Sequence, residues 1–132
     1  MCLQETKVQG RDFPEEAIGK ARYHSTFRGM KAYNGVATLT RLEPEKVIYG
    51  LEEGTDSDDF RIIQTVVDGI PIVNTYVPQG YLITSEKYAH KLTWFKRLRA
   101  YFDESLSKKK PAIWIGDLNV GAHRRLSSGE AR

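Results

Sequence analysis

The sequence predicts a mixed α/β fold, of the α/β or α+β class, built around a mixed sheet. Short apolar runs of strand length recur along the chain, and two of them flank Asp68-Gly69, its strongest short-range hairpin signal. One long helical pattern follows at residues 84–106. Hairpins interspersed with helices are typical of such mixed architectures. A length of 132 residues allows at most one domain.

The N-terminal part begins in the middle of an element. Residues 2–5 read as the last half of a buried strand, and residues 6–11 as a polar loop. Asp12 as N-cap and Glu15 closing a capping box predict a short helix that runs to about Ala21. Strands are then expected at 23–27, 36–40 and 47–51, with a loop at 28–35 and an acidic surface loop at 52–59.

The C-terminal part is organised around the hairpin and the long helix. The hairpin strands are expected at 60–67 and 70–77, and a short buried strand at 113–115. Residues 121–132 are polar and show no apolar period, which predicts a disordered tail and a domain spanning 1–120. The helix at 84–106 should turn one apolar stripe to the core: Tyr88, Leu92, Phe95, Leu98, Phe102 and Leu106.

The run Gly116-Asp117-Leu118-Asn119 directly follows the predicted strand at 113–115. Because side chains alternate in extended chain, Asp117 and Asn119 are expected to point the same way at its carboxyl end. Ligands of α/β folds bind just outside such strand ends, where a carboxylate and an amide can hold a metal-bound water and a phosphate oxygen. Taken alone, however, these four residues favour an ordinary turn, because Gly, Asp and Asn are all common in turns.

The composition excludes several classes of protein. No apolar run approaches the ~20 residues of a membrane span, and the N-terminus lacks the features of a signal peptide. A single cysteine, Cys2, allows no internal disulfide and favours a reducing cytoplasm; we expect a buried core residue rather than a nucleophile there. Gly-rich nucleotide loops, Cys-x-x-Cys pairs, zinc-type histidine spacings and Gly-x-Ser-x-Gly are absent. The three histidines are scattered and are not expected to be catalytic: His24, His90 and His123.

Charge is distributed unevenly along the chain. Residues 43–68 contain eight acidic and two basic side chains, whereas residues 81–110 contain eight basic and three acidic ones. A basic helix face of this kind is compatible with binding to a polyanion. The alternative, a solvated helix surface without a partner, is favoured by charge alone.

Three separated stretches, taken together, resemble a known family. Each ends an apolar run with groups that can bind phosphate or metal: Leu3-Gln4-Glu5-Thr6-Lys7, Asn74-Thr75-Tyr76-Val77-Pro78-Gln79-Gly80 and Ile115-Gly116-Asp117-Leu118-Asn119. In this order and spacing they resemble the exonuclease III family of AP endonucleases, within the endonuclease/exonuclease/phosphatase superfamily. Residues 31–37 and 86–92 look like the same family, so the resemblance covers residues 1–120.

The resemblance implies a DNase I-like fold, a four-layer α/β sandwich of two packed mixed sheets, here partial and incomplete at both termini. The family's Asn-bearing first strand and its late half, which ends in an Asp-His pair, have no counterpart in these 132 residues. His123 lies too close to Asn119 to replace that late histidine. Missing strands would expose sheet edges and an apolar face, so we expect the isolated chain to be poorly stable and to have little or no nuclease activity.

The resemblance also implies roles for individual residues. Glu5 matches the metal-binding glutamate, and Tyr76 matches the tyrosine that contacts the scissile phosphate. Asp117 matches the aspartate that orients or activates the attacking water, and Asn119 its partner asparagine; both are also expected near the metal. Contacts to the DNA backbone are expected from Lys31, Tyr33 and Asn34.

The implied reaction is Mg²⁺-dependent hydrolysis of DNA phosphodiesters, with Mn²⁺ as a possible substitute. Cleavage would occur 5′ to an abasic site, or stepwise from a 3′ end, in base-excision repair, by a monomer if the chain folds. Two alternatives stay open. One is a non-catalytic remnant that binds nucleic acid through its basic helix. The other is a phosphoesterase of the same superfamily with a different substrate, such as a phosphoinositide.

Overall fold

The chain folds into two β-sheets that pack face to face. A computed structural model describes residues 1–51 and 60–121. The first sheet is antiparallel, in the order β1-β3-β2. The second has the order β4-β5-β6-β7, antiparallel except for the parallel pair β6 and β7. The strands are β1 (Cys2–Gln4), β2 (His24–Met30), β3 (Tyr33–Thr40), β4 (Lys46–Tyr49), β5 (Ile62–Val67), β6 (Ile70–Tyr76) and β7 (Ile113–Asp117).

Two α-helices lie on the outer faces of the sheets. The short α1 (Glu15–Lys20) contacts β2, and the long α2 (Glu86–Ser105) packs on the second sheet. Two packed sheets with a helix outside each confirm the predicted mixed α/β class. The acidic segment 52–59 and the tail from residue 122, which includes His123, lie outside the described residues. The domain boundary at residue 120 therefore stays a prediction.

Two hairpins build most of the sheet structure. Asp68 and Gly69 have φ angles of 52° and 71° and join β5 to β6, as predicted, because two central residues with positive φ give a type I′ turn. The loop expected at 28–35 was wrong. There β2 and β3 continue to a tight turn at Lys31 and Ala32, with a register shift next to Gly29. A glycine in a strand often marks such a bulge, and this one was taken for loop.

The buried amide of Asn74 connects the two sheets. Its Nδ2 donates to the backbone oxygen of Ala37 in β3 at 2.9 Å and of Leu3 in β1 at 3.3 Å. Its Oδ1 accepts a hydrogen bond from Gln4 Nε2 at 2.8 Å. Asn74 is completely buried, and a buried amide requires partners of this kind. The polar contact therefore fixes how β1 lies over β6.

The helix α2 buries part of the predicted stripe, together with a neighbouring line of side chains. Trp94, Leu98 and Tyr101 pack against the second sheet, whereas Leu92 is 45% exposed. Tyr101 donates a hydrogen bond from its hydroxyl to Gln64 Oε1 at 2.6 Å. Apolar side chains form two neighbouring lines along this helix. The line that contains Trp94, the largest side chain, faces the sheet. Of the predicted stripe, Leu98 is fully buried, and Phe95, Phe102 and Leu106 are partly buried against the same cluster, whereas the expected burial of Leu92 was wrong.

The first helix starts later than the capping pattern predicted. Asp12 lies in a 3₁₀ turn (Gly10–Asp12), and α1 begins at Glu15 without a side-chain cap. Phe13 between them is extended and stacks on Phe27, with ring centroids 4.0 Å apart. Burial of an aromatic ring in this stack outweighs a capping hydrogen bond worth about 1 kcal/mol. The predicted N-cap at Asp12 was therefore wrong.

The strand β7 is not buried as predicted. Ile113, Trp114 and Ile115 are 43–47% exposed, because among the described residues β7 pairs only with β6 and forms an edge of the second sheet. The outer side of Trp114 is covered, since its ring contacts Phe102 of α2 edge-on. At the corresponding edge of the first sheet, β3 is the one partner of β1 within residues 1–51 and 60–121, and Cys2 is half-buried rather than part of the core. Both sheets therefore have an open edge on the same side.

Candidate active site

Three strands bring the predicted catalytic side chains to one end of the sandwich. Glu5 directly follows β1, and Tyr76 and Asp117 are the last residues of β6 and β7. Tyr76 and Asp117 are register partners in the parallel pair, so their side chains lie on the same face. The Tyr76 hydroxyl and the Glu5 carboxylate approach each other across the two sheets, close enough for each group to shift the pKa of the other. The structure thus assembles three of the four residues that the family resemblance implied.

The close approach of β6 and β7 depends on Gly116. Its φ is 141°, and a Cβ there would lie 1.9 Å from the backbone oxygen of Thr75. Only glycine fits this position without moving the backbone. Gly116 thus places Asp117 directly beside Tyr76.

Charges around Glu5 and Tyr76 set their protonation states. Lys7 Nζ lies 3.0 Å from Glu5 Oε2, and this contact lowers the pKa of the Glu5 carboxyl. Burial raises the pKa of the Tyr76 hydroxyl, and the neighbouring Glu5 charge raises it further. At neutral pH the site therefore presents a charged carboxylate beside a hydroxyl that can donate a hydrogen bond.

Arg61 is a member of this site that the sequence alone did not reveal. Its guanidinium lies 4.9 Å from the centroid of the Tyr76 ring, and Nη1 donates to the Tyr76 backbone oxygen at 3.3 Å. The residue precedes β5, at the end of the acidic segment, where nothing in the local pattern marks it. Only the pairing of β5 with β6 brings its positive charge beside Tyr76.

Asn119 is oriented by a turn and not by strand alternation. The strand ends at Asp117, Asn119 has a φ of 48°, and its backbone N–H donates to Asp117 Oδ1 at 2.9 Å. Its Nδ2 also donates to the backbone oxygen of Val77 at 2.7 Å. The turn interpretation and the site interpretation of Gly-Asp-x-Asn are therefore compatible, because the turn itself holds both side chains at the strand end.

Lys91 attaches this turn to α2. Its ammonium donates a hydrogen bond to the backbone oxygen of Asn119, and its stem lies against Gly80. The side chain is almost fully buried, and this burial lowers the pKa of its ammonium group. Sequence analysis counted Lys91 among the basic residues of a helix face. Its burial becomes visible only once the helix is docked.

A cleft of about 550 Å³ opens beside Tyr76. Tyr33, one of the three predicted DNA contacts, lines it, whereas Lys31 and Asn34 lie in and next to the same β2–β3 turn but are not among the lining residues. His90, which was not expected to be catalytic, also lines the cleft. The complete lining is Tyr33, Arg61, Tyr76, Pro78, Gln79, Glu86, Lys87 and His90.

The residues present fit a hard divalent cation better than a closed transition-metal site. Within residues 1–51 and 60–121, no three His, Cys, Asp or Glu side chains are grouped as a metal cage. Mg²⁺ is commonly bound by one or two carboxylates, with water and substrate phosphate completing its shell. Glu5 and Asp117 on either side of Tyr76 provide two such carboxylates.

Replacing Lys7 with methionine is expected to raise the pKa of Glu5 towards its ordinary value. The folded-state pKa of Glu5 is lowered mainly by Lys7. The contact between the two side chains therefore stabilises the folded protein at neutral pH, and this stabilisation is lost as the pH falls through the lowered pKa. Carboxyl ¹³C NMR titration measures the change. Lys20→Met, which removes an exposed contact with Glu16, is the matched control; an unchanged Glu5 titration in Lys7→Met would contradict the assignment.

Comparisons with known proteins agree with this geometry. A model of the endonuclease/exonuclease/phosphatase family matches residues 1–130. A DNA-(apurinic or apyrimidinic site) endonuclease from Dictyostelium discoideum is 31% identical over 128 residues, or 96% of this chain and 35% of that protein. Exodeoxyribonuclease III of Haemophilus influenzae is 32% identical, over 89% of this chain and 46% of its own length.

Solved structures give the same result. An AP endonuclease from Archaeoglobus fulgidus superposes with a TM-score of 0.86 at 44% identity, covering 93% of this chain and 48% of that one. A 3′ phosphatase from Neisseria, bound to a product DNA hairpin, has a TM-score of 0.85 at 29% identity, with the same coverage of both chains. The chain thus spans about half the length of these two structures. It belongs to the endonuclease/exonuclease/phosphatase family, among relatives named AP endonuclease and exodeoxyribonuclease III.

Proposed function

We propose that this protein is a metal-dependent phosphodiesterase that acts on DNA, cleaving 5′ to abasic sites or removing nucleotides from 3′ ends in base-excision repair. The observation that carries the proposal is the convergence of Glu5, Tyr76 and Asp117 at the ends of three strands. Names of relatives add support, since these are endonucleases for apurinic or apyrimidinic sites, exodeoxyribonucleases and a phosphatase bound to DNA.

Each side chain has a chemical task in this proposal. Asp117 accepts a proton from the attacking water, and the leaving 3′ oxygen is protonated after the P–O bond breaks. Tyr76, kept protonated by its raised pKa, donates a hydrogen bond to a phosphate oxygen where negative charge develops. Asn119 holds Asp117 through the turn and offers its amide to the phosphate. Lys31, Tyr33 and Asn34 contact the DNA backbone of the flanking nucleotides.

Enzymes of the exonuclease III type depend on a divalent metal ion. We assign Mg²⁺ to this site, with Mn²⁺ as a substitute, held by Glu5 and Asp117 with Asn119 as a further oxygen donor. When bound, the ion neutralises phosphate charge and stabilises the departing oxygen. We further propose that the protein acts as a monomer. We place it in the cytoplasm, since its single cysteine suits a reducing compartment. Among the described residues, no helix is long and apolar enough to cross a membrane.

A second candidate function is a non-catalytic remnant that binds nucleic acid. The observation in its favour is that the cationic side chains of Arg61 and Lys87 line the cleft beside Tyr76. Binding of DNA without cleavage would be its signature.

Cleavage of an abasic duplex by the purified chain tests the proposal. We expect slow Mg²⁺-dependent cleavage that EDTA abolishes and that Asp117→Ala reduces by about 100-fold or more, because a general base contributes that much. Asp103→Ala is the matched control, since this exposed carboxylate pairs with Arg99 away from the site. Equal cleavage by the unaltered chain and by Asp117→Ala would refute the proposal. Binding without any cleavage would support the remnant.

A further inference from the structure

The segment between β6 and α2 exposes three consecutive apolar side chains. Tyr81, Leu82 and Ile83 are 82%, 64% and 78% exposed. Single apolar residues on a surface are ordinary, but a contiguous group of large ones usually marks a binding surface. We call these three residues the apolar loop.

The apolar loop is held in a defined conformation. Ser85 Oγ lies 2.9 Å from the backbone oxygen of Gly80 and 2.6 Å from that of Leu82, and its backbone N–H donates to Leu82 at 2.9 Å. The same Ser85 caps the N-terminus of α2. Tyr81 has a φ of 56°, a left-handed conformation that is rare for an aromatic residue. The loop is therefore fixed with its side chains outward.

A positive charge lies directly beside the apolar loop. Lys87 Nζ is 5.7 Å from the centroid of the Tyr81 ring, and Lys87 and Arg61 both line the cleft next to Tyr76, whose lining also includes Glu86. Cations that follow a phosphate backbone, next to an exposed aromatic face, are the combination that binds single-stranded nucleic acid. Nothing in the chemistry of phosphodiester hydrolysis requires the apolar side chains.

We propose that the apolar loop binds the unpaired bases of a DNA substrate whose backbone lies in the cleft. Tyr81 stacks on a base, and Leu82 and Ile83 cover its neighbour, so that the loop favours frayed or single-stranded nucleotides beside the reacting phosphate. The inference rests on the proposed function, from which it takes DNA as the ligand. Phosphates match the positive charge of Lys87 beside the loop, which favours DNA over a second copy of the chain as the occupant.

Fluorescence anisotropy with a labelled hairpin DNA that has a single-stranded 3′ overhang tests this inference. EDTA in the buffer prevents cleavage, so binding is measured separately from hydrolysis. Tyr81→Ala is expected to weaken binding about tenfold, because stacking on an aromatic ring contributes on that order. Tyr81→Phe, which keeps the ring, should bind within about twofold of the unaltered chain. Leu42→Ala, at a similarly exposed residue remote from the cleft, is the matched control.

Salt dependence separates stacking from charge. Tyr81→Ala should leave the slope of log affinity against log salt concentration unchanged. Lys87→Met should make that slope shallower by the amount that corresponds to the loss of about one phosphate contact. Unchanged affinity in Tyr81→Ala, or a loss that comes with a smaller slope, would overturn the inference. Sedimentation that shows a dimer dissolved by Tyr81→Ala, with DNA affinity intact, would also overturn it.

The inference and the proposed function can fail separately. Ring-dependent binding without cleavage in Mg²⁺ would support the apolar loop and contradict the nuclease. Cleavage in Mg²⁺, with a DNA affinity of Tyr81→Ala equal to that of the unaltered chain, would support the nuclease and contradict the role of the apolar loop. Far-UV circular dichroism of each variant checks that the fold is retained, as expected for a substitution at a residue this exposed.

Discussion

Replacing Gly116 with alanine is expected to separate β7 from β6 and to remove any activity of the site. The added Cβ would lie 1.9 Å from the backbone oxygen of Thr75 and 2.9 Å from two further backbone atoms of that residue. Backbone atoms of a paired strand cannot move aside as a flexible side chain can. The φ of 141° is in addition unfavourable for any residue with a Cβ. We expect a loss of at least about 3 kcal/mol in the free energy of unfolding.

Urea denaturation and the cleavage assay together measure this effect. Gly19→Ala is the control, because a Cβ at that helical glycine meets nothing within 4 Å. It should be neutral or stabilising by about 0.4–1 kcal/mol, since alanine has fewer unfolded conformations to lose. Wild-type stability and activity in Gly116→Ala would show that β7 does not pair closely with β6 in solution.

Replacing Asn74 with leucine is expected to loosen the contact between the two sheets. Leucine has a similar volume but makes none of the hydrogen bonds that Asn74 forms with Gln4, Leu3 and Ala37. Each buried partner left unsatisfied costs about 1–3 kcal/mol, so we expect a loss of about 3 kcal/mol. Because Tyr76 is two residues beyond Asn74, and Glu5 directly follows Gln4, the approach of the Tyr76 hydroxyl to the Glu5 carboxylate should loosen as well.

A double-mutant cycle with Gln4→Leu tests this interpretation. If the two amides act through each other, the double variant should lose clearly less stability than the two single variants added together. Strict additivity would show that Asn74 contributes through its backbone contacts alone. A shift in the NMR pH titration of the assigned Tyr76 ring resonances in the Asn74→Leu variant, relative to the wild type, reports the changed environment of Tyr76, which absorbance cannot separate from the other tyrosines among the seven.

Features that depend on residues adjacent in sequence were predictable, and features that depend on how helices and strands pack together were not. The Asp68-Gly69 hairpin and the Asp117 strand end depend on residues adjacent in sequence, and both were confirmed. The capping pattern at Asp12 was overridden by the stack of Phe13 on Phe27. No local signal could show that β7 would have one neighbouring strand in the part of the chain that the structure describes, so the predicted burial of β7 was wrong.

The same distinction applies to the candidate site. Glu5, Tyr76, Asp117 and Asn119 were found because they sit in short motifs with a recognisable order. Their catalytic roles stay predictions. Arg61 and Lys91 complete the surroundings of the site through contacts between elements, and neither lies in such a motif. Residues that support a site from a distance need the tertiary structure for their identification.

The link between α2 and the Asp117 turn affects how loss-of-function variants should be interpreted. Parallel strands require a crossover, so β7 reaches β6 only through α2, and Lys91 then holds the turn from the same helix. A substitution at Trp94 or Leu98 that shifts the helix therefore also shifts Asp117. Inactivation by such a substitution does not show that the residue contacts substrate. A mutational scan of this protein would therefore find inactivating substitutions in α2 as well as in the candidate site.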